Sequence, residues 1–470
     1  MKHRKTYYQI QDLLSRSEGS PVIVLVGLRK VGKTTALKTL SHDVNGLYHN
    51  CQDKADFPEV IRGFFESDKA FLCLDEIGNI TQFDEFVENL QQDLVDTGKK
   101  LIITSSSYGA MRQLSTGRLG ARCYMVEMFP LSFEEYLYFS NKISKYGEAY
   151  EPTAADIEDF YRLKDIPSLM RFIINEDYMR GVFDEAVISH QNQLSIVQDI
   201  VLNETECMTV IDILAYSLNE KIPMKRFDKY NLESIGGQEF GYRHFSMDLS
   251  PAIVYKAHKL SPHISPERLA KIIAYMYYNG FLFIDTVMNE DFCQNPYDAC
   301  KSLAEVRTRK DLEVILSEYT FSVVSPLLYT RLLADVERIV DELVHYPRIA
   351  GKLFELTFKS EALYKDGFKL HHTSRKYQTS DPLTKNVTAE VDLIVTNSSN
   401  MPNTIVELTT DASTKTKHHL MEVFPDIEVR RILTDTPGTY QKDNKAFWRI
   451  GYPKALLMAS DDNYYPELHP

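Results

Sequence analysis

The chain has 470 residues, 44% hydrophobic and 25% charged, and at roughly 100–200 residues per domain it predicts two to four domains of ordinary soluble composition. Its 66 acidic residues against 53 Lys and Arg give a net charge of −13, which excludes bulk nucleic-acid binding through a general positive surface but not a local basic patch. The six cysteines (Cys51, Cys73, Cys123, Cys207, Cys293, Cys300) form no C-x-x-C pair, which argues against a zinc cluster or disulfide framework and fits a reducing, cytoplasmic setting.

In chain order, residues 1–20 read as a lead-in helix ending in a Ser/Glu/Gly turn at Ser15–Ser20. No apolar leader segment follows the basic start MKHRKTYYQI. From Pro21 to Glu127, short apolar runs at Val22–Val26, Phe71–Leu74, Leu101–Thr104 and Tyr124–Glu127 alternate with helical stretches. This alternation predicts a parallel sheet covered on both faces. All these runs are strand-sized, far below the ~20 residues a bilayer span needs, so no membrane partner is expected.

Ser132–Tyr178 reads as helical, and Asp184–Asp285 as mostly helical with a short hydrophobic hairpin at its end. Within the latter, Ser265, Pro266 and Glu267 are helix-start signals, followed by Asn279-Gly280 and a strand at Phe281–Ile284. Helix, turn and short strand have the shape of a winged helix-turn-helix. Asp291–Asp311 reads as a polar loop or linker. A final α/β segment holds a helix near Ile349–Tyr364, strands at Val391–Val395, Thr404–Leu408 and Val429–Leu433, and an apolar run at Ala455–Met458.

The chemistry starts at Gly27-Leu28-Arg29-Lys30-Val31-Gly32-Lys33-Thr34, a full G-x-x-x-x-G-K-[ST] loop between an apolar strand and the helical run Thr35–Leu40. Its glycines let backbone N–H groups curl around phosphate, and the helix N-terminus adds its dipole. The motif assigns Lys33 to the β/γ-phosphates of ATP and Thr34 to Mg²⁺, with Thr35 completing the cradle. At Phe71-Leu-Cys-Leu-Asp75-Glu76 two carboxylates end a buried strand, where open α/β sheets bind ligands. Asp75 is assigned to the Mg²⁺ site and Glu76 to polarising the attacking water. The third strand ends in Thr104-Ser105-Ser106; a hydroxyl there can sense the γ-phosphate, with Ser105 and Ser106 slightly favoured over Thr104, and ordinary turn residues are the other reading. Arg118, after Gly117, reads equally as a finger reaching a neighbouring subunit's nucleotide and as a surface arginine.

With these motifs and Met128-Phe-Pro130-Leu-Ser-Phe133-Glu-Glu-Tyr136-Leu, the chain resembles the AAA+ superfamily. More narrowly, it resembles prokaryotic ATPases that join an AAA+ module through a winged helix to a restriction-endonuclease-like, PD-(D/E)xK-type domain. The resemblance implies an α/β fold in which a P-loop AAA+ parallel sheet with a helical lid precedes a winged helix and a C-terminal α/β nuclease-like domain. The implied boundaries are 1–131 for the ATPase core, 132–183 for the lid, 184–290 for the winged helix, 291–345 for a linker with helices and 346–470 for the last domain. Lys164-Asp-Ile-Pro167 keeps only the proline of the family's Gly-Gly-x-Pro turn, and Thr104-Ser105-Ser106 stands where Thr-Gly-Ser is usual. The nuclease pattern maps its metal carboxylates onto Glu355, Asp392 and Glu407, but its lysine position holds Thr409. Losing that charge favours a retained fold with a disabled or altered centre over cleavage. Nucleic acid, through the winged helix (Arg268, Lys271) or the last domain, and a homo-oligomer are the partners this reading admits. A domain-packing role for the same helix stands beside the first of these.

Overall fold

In the computed structural model the described residues are 2–27, 31–52, 57–79, 83–105, 111, 114, 119, 122–129, 131–161, 219–223, 242–245, 248–249, 265–278, 282–285, 288–289, 296–323, 354–361, 376–378, 388–390, 393–396, 402–409, 428–433, 440–444 and 447–451. Two compact units divide the chain, the first built around Met1–Leu131 and the second taking in Ser132–Glu176, Asn203–Tyr277 and Phe281–Pro470.

In the first unit, α1 (Lys5–Ser15) buries Thr6, Tyr7 and Ile10, one stripe of a short amphipathic helix. It leads to β1 (Val22–Val26), whose five residues are all buried, as a continuous apolar run on a doubly covered sheet should be. Then come α2 (Lys33–Asp43), β2 (Gly46–Asn50), α3 (Phe57–Glu66), β3 (Phe71–Asp75), α4 (Phe83–Thr97), β4 (Lys100–Thr104) and β5 (Cys123–Glu127). α4 stops at Gly98, whose φ of +65° is the left-handed cap that glycine takes without a Cβ penalty. The sheet order is β2-β3-β4-β1-β5, and every neighbouring pair is parallel. This is the parallel sheet expected from the alternating runs. β2, which carries no long apolar run, joins it as an edge strand that sequence reading missed.

The second unit opens with α5 (Phe133–Phe139), started by a capping box in which Ser132 Oγ accepts from the Glu135 amide and the Glu135 carboxylate accepts from the Ser132 amide. Continuous helix through Ser132–Tyr178 is not what forms: α6 (Ala154–Tyr161) follows only after an irregular stretch. Asn141 and Gly147 sit there at positive φ, +61° and +69°, conformations that end helices. The rest of that expectation, beyond residue 161, lies outside the described residues. Between Asp184 and Asp285, strands β6 (Asn219–Pro223), β7 (Tyr242–Phe245) and β8 (Asp248–Leu249) occupy part of the segment read as helical. β6 and β7 pair antiparallel; sheet pairing decides there over local helix propensity.

α7 (Pro266–Tyr278) begins where its start signals placed it, with Ser265 Oγ accepting from the Arg268 amide at 3.1 Å. β9 (Leu282–Asp285) follows, but it forms no local hairpin with β10 (Met288–Asn289). It pairs antiparallel with β11 (Thr320–Val323), which also pairs with β8. The segment read as linker contains α8 (Pro296–Glu305) and the start of α9 (Arg309–Glu318). These helices bury Ala299, Cys300, Leu303, Leu312 and Ile315, and a Thr308–Asp311 capping box starts α9. The polar composition hid that sparse apolar stripe.

The last part holds helix α10 over residues 354–361, inside the helix expected near Ile349–Tyr364. Short strands β12 (Lys376–Gln378) and β13 (Thr388–Glu390) pair antiparallel, and β10 joins β12. A five-stranded sheet then runs β14-β15-β16-β18-β17, from β14 (Leu393–Thr396), β15 (Pro402–Thr409), β16 (Glu428–Leu433), β17 (Tyr440–Asn444) and β18 (Phe447–Gly451). Its three inner strands are parallel and its two edges antiparallel. The three anticipated strands are present with shifted ends; the β17–β18 pair was not anticipated, and Ala455–Met458 lies outside the described residues.

Candidate nucleotide site

The strand order decides which residues meet. β1 and β3 flank β4, so the loop after Val26, the hydroxyls after Ile103 and the acids after Leu74 lie side by side at the carboxyl edge. Parallel strands stand about 4.8 Å apart, so the β1 and β3 tips are about 10 Å from each other with the β4 tip between them. The register sets Leu25 level with Thr104 and Leu74 level with Ile103, so Asp75 falls beside Thr104.

The loop is built for close backbone approach. A Cβ on Gly27 would collide with the carbonyl oxygen of Met128, so only glycine fits. Gly32, at φ +106°, turns the chain into α2, and its carbonyl accepts the first helical bond, from the Ala36 amide at 2.9 Å. Lys33 is buried, and its Nζ donates to the Gly27 carbonyl at 2.8 Å across the loop. Thr34 and Thr35 are exposed in the first turn of α2. Leu28, Arg29 and Lys30 lie outside the described residues; Val31 is buried.

The N-terminal residues brace this loop. Arg4 donates through one Nη to the Val31 carbonyl at 3.0 Å and through the other to the Phe129 carbonyl at 2.8 Å, tying the loop to the chain after β5. Tyr7 donates to Asp43 at the far end of α2 at 3.0 Å. Burial, with that bond, pushes its phenol up to about 12. Sequence reading gave the N-terminal residues only as a lead-in helix and did not find this brace.

At the acidic tip, Asp75 is 2% exposed. Its Oδ1 accepts from the Glu76 amide at 3.0 Å, and its Oδ2 accepts from the Tyr48 hydroxyl at 2.8 Å. Burial first, then the bond to Asp75, raises the Tyr48 phenol well above its ordinary range, so it is a proton donor throughout physiological pH. Among the described residues no Lys, Arg or His makes an ion pair with Asp75. Glu76 sits at φ +55°, a left-handed conformation unusual for a residue with a side chain, and costs of order 1–3 kcal/mol that the surrounding fold must supply. Buried Ile77 anchors the following turn.

At the β4 tip Thr104 is fully buried, and its Oγ1 has no hydrogen-bond partner among the described residues. An orphaned buried hydroxyl beside Asp75 is the kind of group a ligand or water satisfies. Ser105 is buried too, at 5% exposure. Ser106, Gly117 and Arg118 lie outside the described residues.

Residues 19–137 match the family model described as AAA domain. This segment is similar to AAA domains, a match that supports a P-loop nucleotide-binding domain there. No curated protein matches the chain. Among solved structures, it is similar to AMPPCP-bound DnaA from Aquifex aeolicus at 17% identity, covering 46% of this chain and 79% of that one, TM-score 0.24. It is also similar to a Walker-type ATPase of Pyrococcus abyssi at 11% identity, covering 70% and 95%, TM-score 0.31. A third is DnaA bound to AMPPCP and single-stranded DNA, at 15% identity over 57% and 86%, TM-score 0.25. At such scores these likenesses carry no weight for function, and the AAA domain is defined by the family match and its own strand tips.

The AAA domain's donor set fits the metal that accompanies ATP. Asp75 and Thr34 offer oxygen, which Mg²⁺ prefers, and no described cation neutralises the carboxylate.

The C-terminal carboxylates are arranged differently. Glu355 on α10 is buried and forms an ion pair with Lys359 at 2.9 Å. Asp392 lies outside the described residues, and Glu407 and Thr409 are described only as backbone on β15. No cluster of three His, Cys, Asp or Glu able to hold a metal occurs among the described residues. Nor is any helix among them long and apolar enough to cross a membrane.

Proposed function

We propose that this chain is a Mg²⁺-dependent ATPase whose nucleotide state switches how its C-terminal region is presented to a partner. The observation that carries the reading is that Lys33, at the start of α2, is hydrogen-bonded to Gly27 at the tip of β1, while Thr104 and the Asp75–Glu76 pair lie at the two neighbouring strand tips. In this reading the Lys33 ammonium, held at the loop by the Gly27 carbonyl, serves the β/γ-phosphates. Thr34 and Asp75 hold Mg²⁺, whose chemistry is to neutralise charge on the phosphate oxygens. Glu76 orients the attacking water and takes its proton. Thr104, whose hydroxyl has no partner among the described residues, is assigned to the γ-phosphate side in this reading, where the sequence slightly favoured Ser105 and Ser106. Arg118 as a finger in a homo-oligomer, and a cytoplasmic location, belong to the same reading.

The Glu355–Lys359 pair supports the switch over a metal-dependent nuclease at Glu355, Asp392 and Glu407, because the one described side chain of that trio is already neutralised. The winged-helix reading of α7 and β9 keeps nucleic acid as a candidate partner.

Phosphate release from ATP with Mg²⁺, measured on purified protein, tests the proposal. Lys33→Ala is expected to weaken ATP binding roughly 10- to 100-fold, the equivalent of one lost charge-assisted contact, and to abolish release. Release that is absent in the wild type, or that survives Lys33→Ala unchanged, refutes it. Bound ATP that stays intact for hours would instead indicate an interaction module without turnover.

A further inference from the structure

The Tyr48–Asp75 contact belongs to no part of the motif reading. β2 and β3 run in parallel register with Tyr48 level with Cys73 and Asn50 level with Asp75. Side chains alternate along a strand, so Tyr48, Cys73 and Asp75 share one face of the sheet, and Tyr48 reaches Asp75 as a diagonal neighbour. α2 covers this face: Ser41 Oγ lies 3.7 Å from Cys73 Sγ, and Lys38 Nζ lies 5.1 Å from the Tyr48 ring centre. The phenol is therefore held from behind by the sheet and from above by the helix that the phosphate loop starts. Its hydroxyl meets Asp75 Oδ2 at 2.8 Å while the Glu76 amide meets Oδ1 at 3.0 Å.

We infer that Tyr48 is a positioning residue for the metal site: its hydroxyl fixes the plane of the Asp75 carboxylate so that the remaining lone pairs face the metal's shell. The inference rests on the reading of Asp75 as a metal-site residue. Each carboxylate oxygen has two lone pairs. Tyr48 and the Glu76 amide take one on each oxygen, which leaves one on each for the metal or its waters. Both donors are neutral, so they orient the carboxylate without cancelling the charge a cation needs. A lysine in the place of Tyr48 would orient it and neutralise it at once. Partners of this kind set metal affinity, and their loss typically costs about 10- to 100-fold.

The test is Mn²⁺ binding followed by electron paramagnetic resonance, with a non-hydrolysable ATP analogue bound, on wild type, Tyr48→Phe and Asp75→Asn. Analogue affinity without metal, measured by calorimetry, reports whether each variant retains the folded phosphate loop. Tyr48→Phe keeps the ring under Lys38 and removes only the hydroxyl. Its Mn²⁺ affinity is expected to fall about 10- to 100-fold while its metal-free analogue affinity stays at the wild-type value. Asp75→Asn is expected to lose the metal-dependent gain altogether. Equal Mn²⁺ affinity in wild type and Tyr48→Phe overturns the role of Tyr48 and leaves the site reading standing. So does a Tyr48→Phe loss that extends equally to metal-free binding, which would mark a structural residue. If the wild type itself gains nothing from Mn²⁺, the metal-site reading of Asp75 fails and the Tyr48 role falls with it.

Discussion

Two buried carboxylates in this molecule are treated in opposite ways. Asp75, in the AAA domain, is held by an amide and a phenol and pairs with no described cation. Glu355, on α10 in the other unit, is buried against Lys359, itself 2% exposed. Neutral hydrogen bonds fix a carboxylate and leave its charge for an incoming ion, whereas a lysine fixes it and cancels that charge. This contrast is what favours the proposed site role for the first, while the second reads as a piece of architecture. Glu361, on the same helix, adds to that architecture by accepting from the Phe133 amide at 2.8 Å, at the first turn of α5.

Melting the two neutralising variants against each other is the sharpest way to break the contrast. Glu355→Gln leaves a buried lysine without its carboxylate and is expected to cost about 3–5 kcal/mol of stability. Asp75→Asn removes a charge that no described cation matches and is expected to leave the melting temperature unchanged or raised. Equal losses in denaturant unfolding would mean that Asp75 is structural too.

Asp156 is an intermediate case. Burial alone would raise its pKa, but hydrogen bonds from the Thr153 amide at 2.8 Å and hydroxyl at 2.9 Å, and the Lys142 ammonium at 3.1 Å, bring it below the usual carboxylate value of 3.8. A depressed folded-state pKa means its contribution is full above that value and is lost as pH falls through the folded one. Asp156→Asn is expected to cost about 1–3 kcal/mol at neutral pH, with a smaller difference from wild type in acid-denaturation curves below pH 3.8. The smallest effect belongs to Cys73. Burial pushes its thiol up to about 12, so the nucleophilic thiolate is scarce. Mass-spectrometric mapping after iodoacetamide at neutral pH is expected to find Cys73 unmodified in the folded protein, while half-buried Cys51 and Cys123 react before it.

The AAA domain was legible because its chemistry is local. Gly27–Thr34 is one loop, and Asp75 and Glu76 end one apolar run, so a strand followed by its tip residues sufficed. Residues that act across strands left no such trace. Tyr48 lies on an edge strand without an apolar run, and its value depends on a register that only folding sets. Arg4 reaches Val31 and Phe129, 27 and 125 residues away, for the same reason. That the Thr104 hydroxyl has no hydrogen-bond partner among the described residues is likewise a property of packing, with no trace in the sequence. In the second unit, α8 and α9 hid in a polar stretch, and β9 found its partner in β11 across two intervening helices.

The central claim is that binding and hydrolysis are carried by separate groups on neighbouring strand tips. Glu76→Gln tests it most directly, with ATP affinity and phosphate release measured on the same preparation with Mg²⁺. The account predicts wild-type ATP affinity with release slowed about 10²- to 10⁴-fold, the range a general base supplies. Release that continues at the wild-type rate, or ATP binding that is lost together with it, would contradict the account.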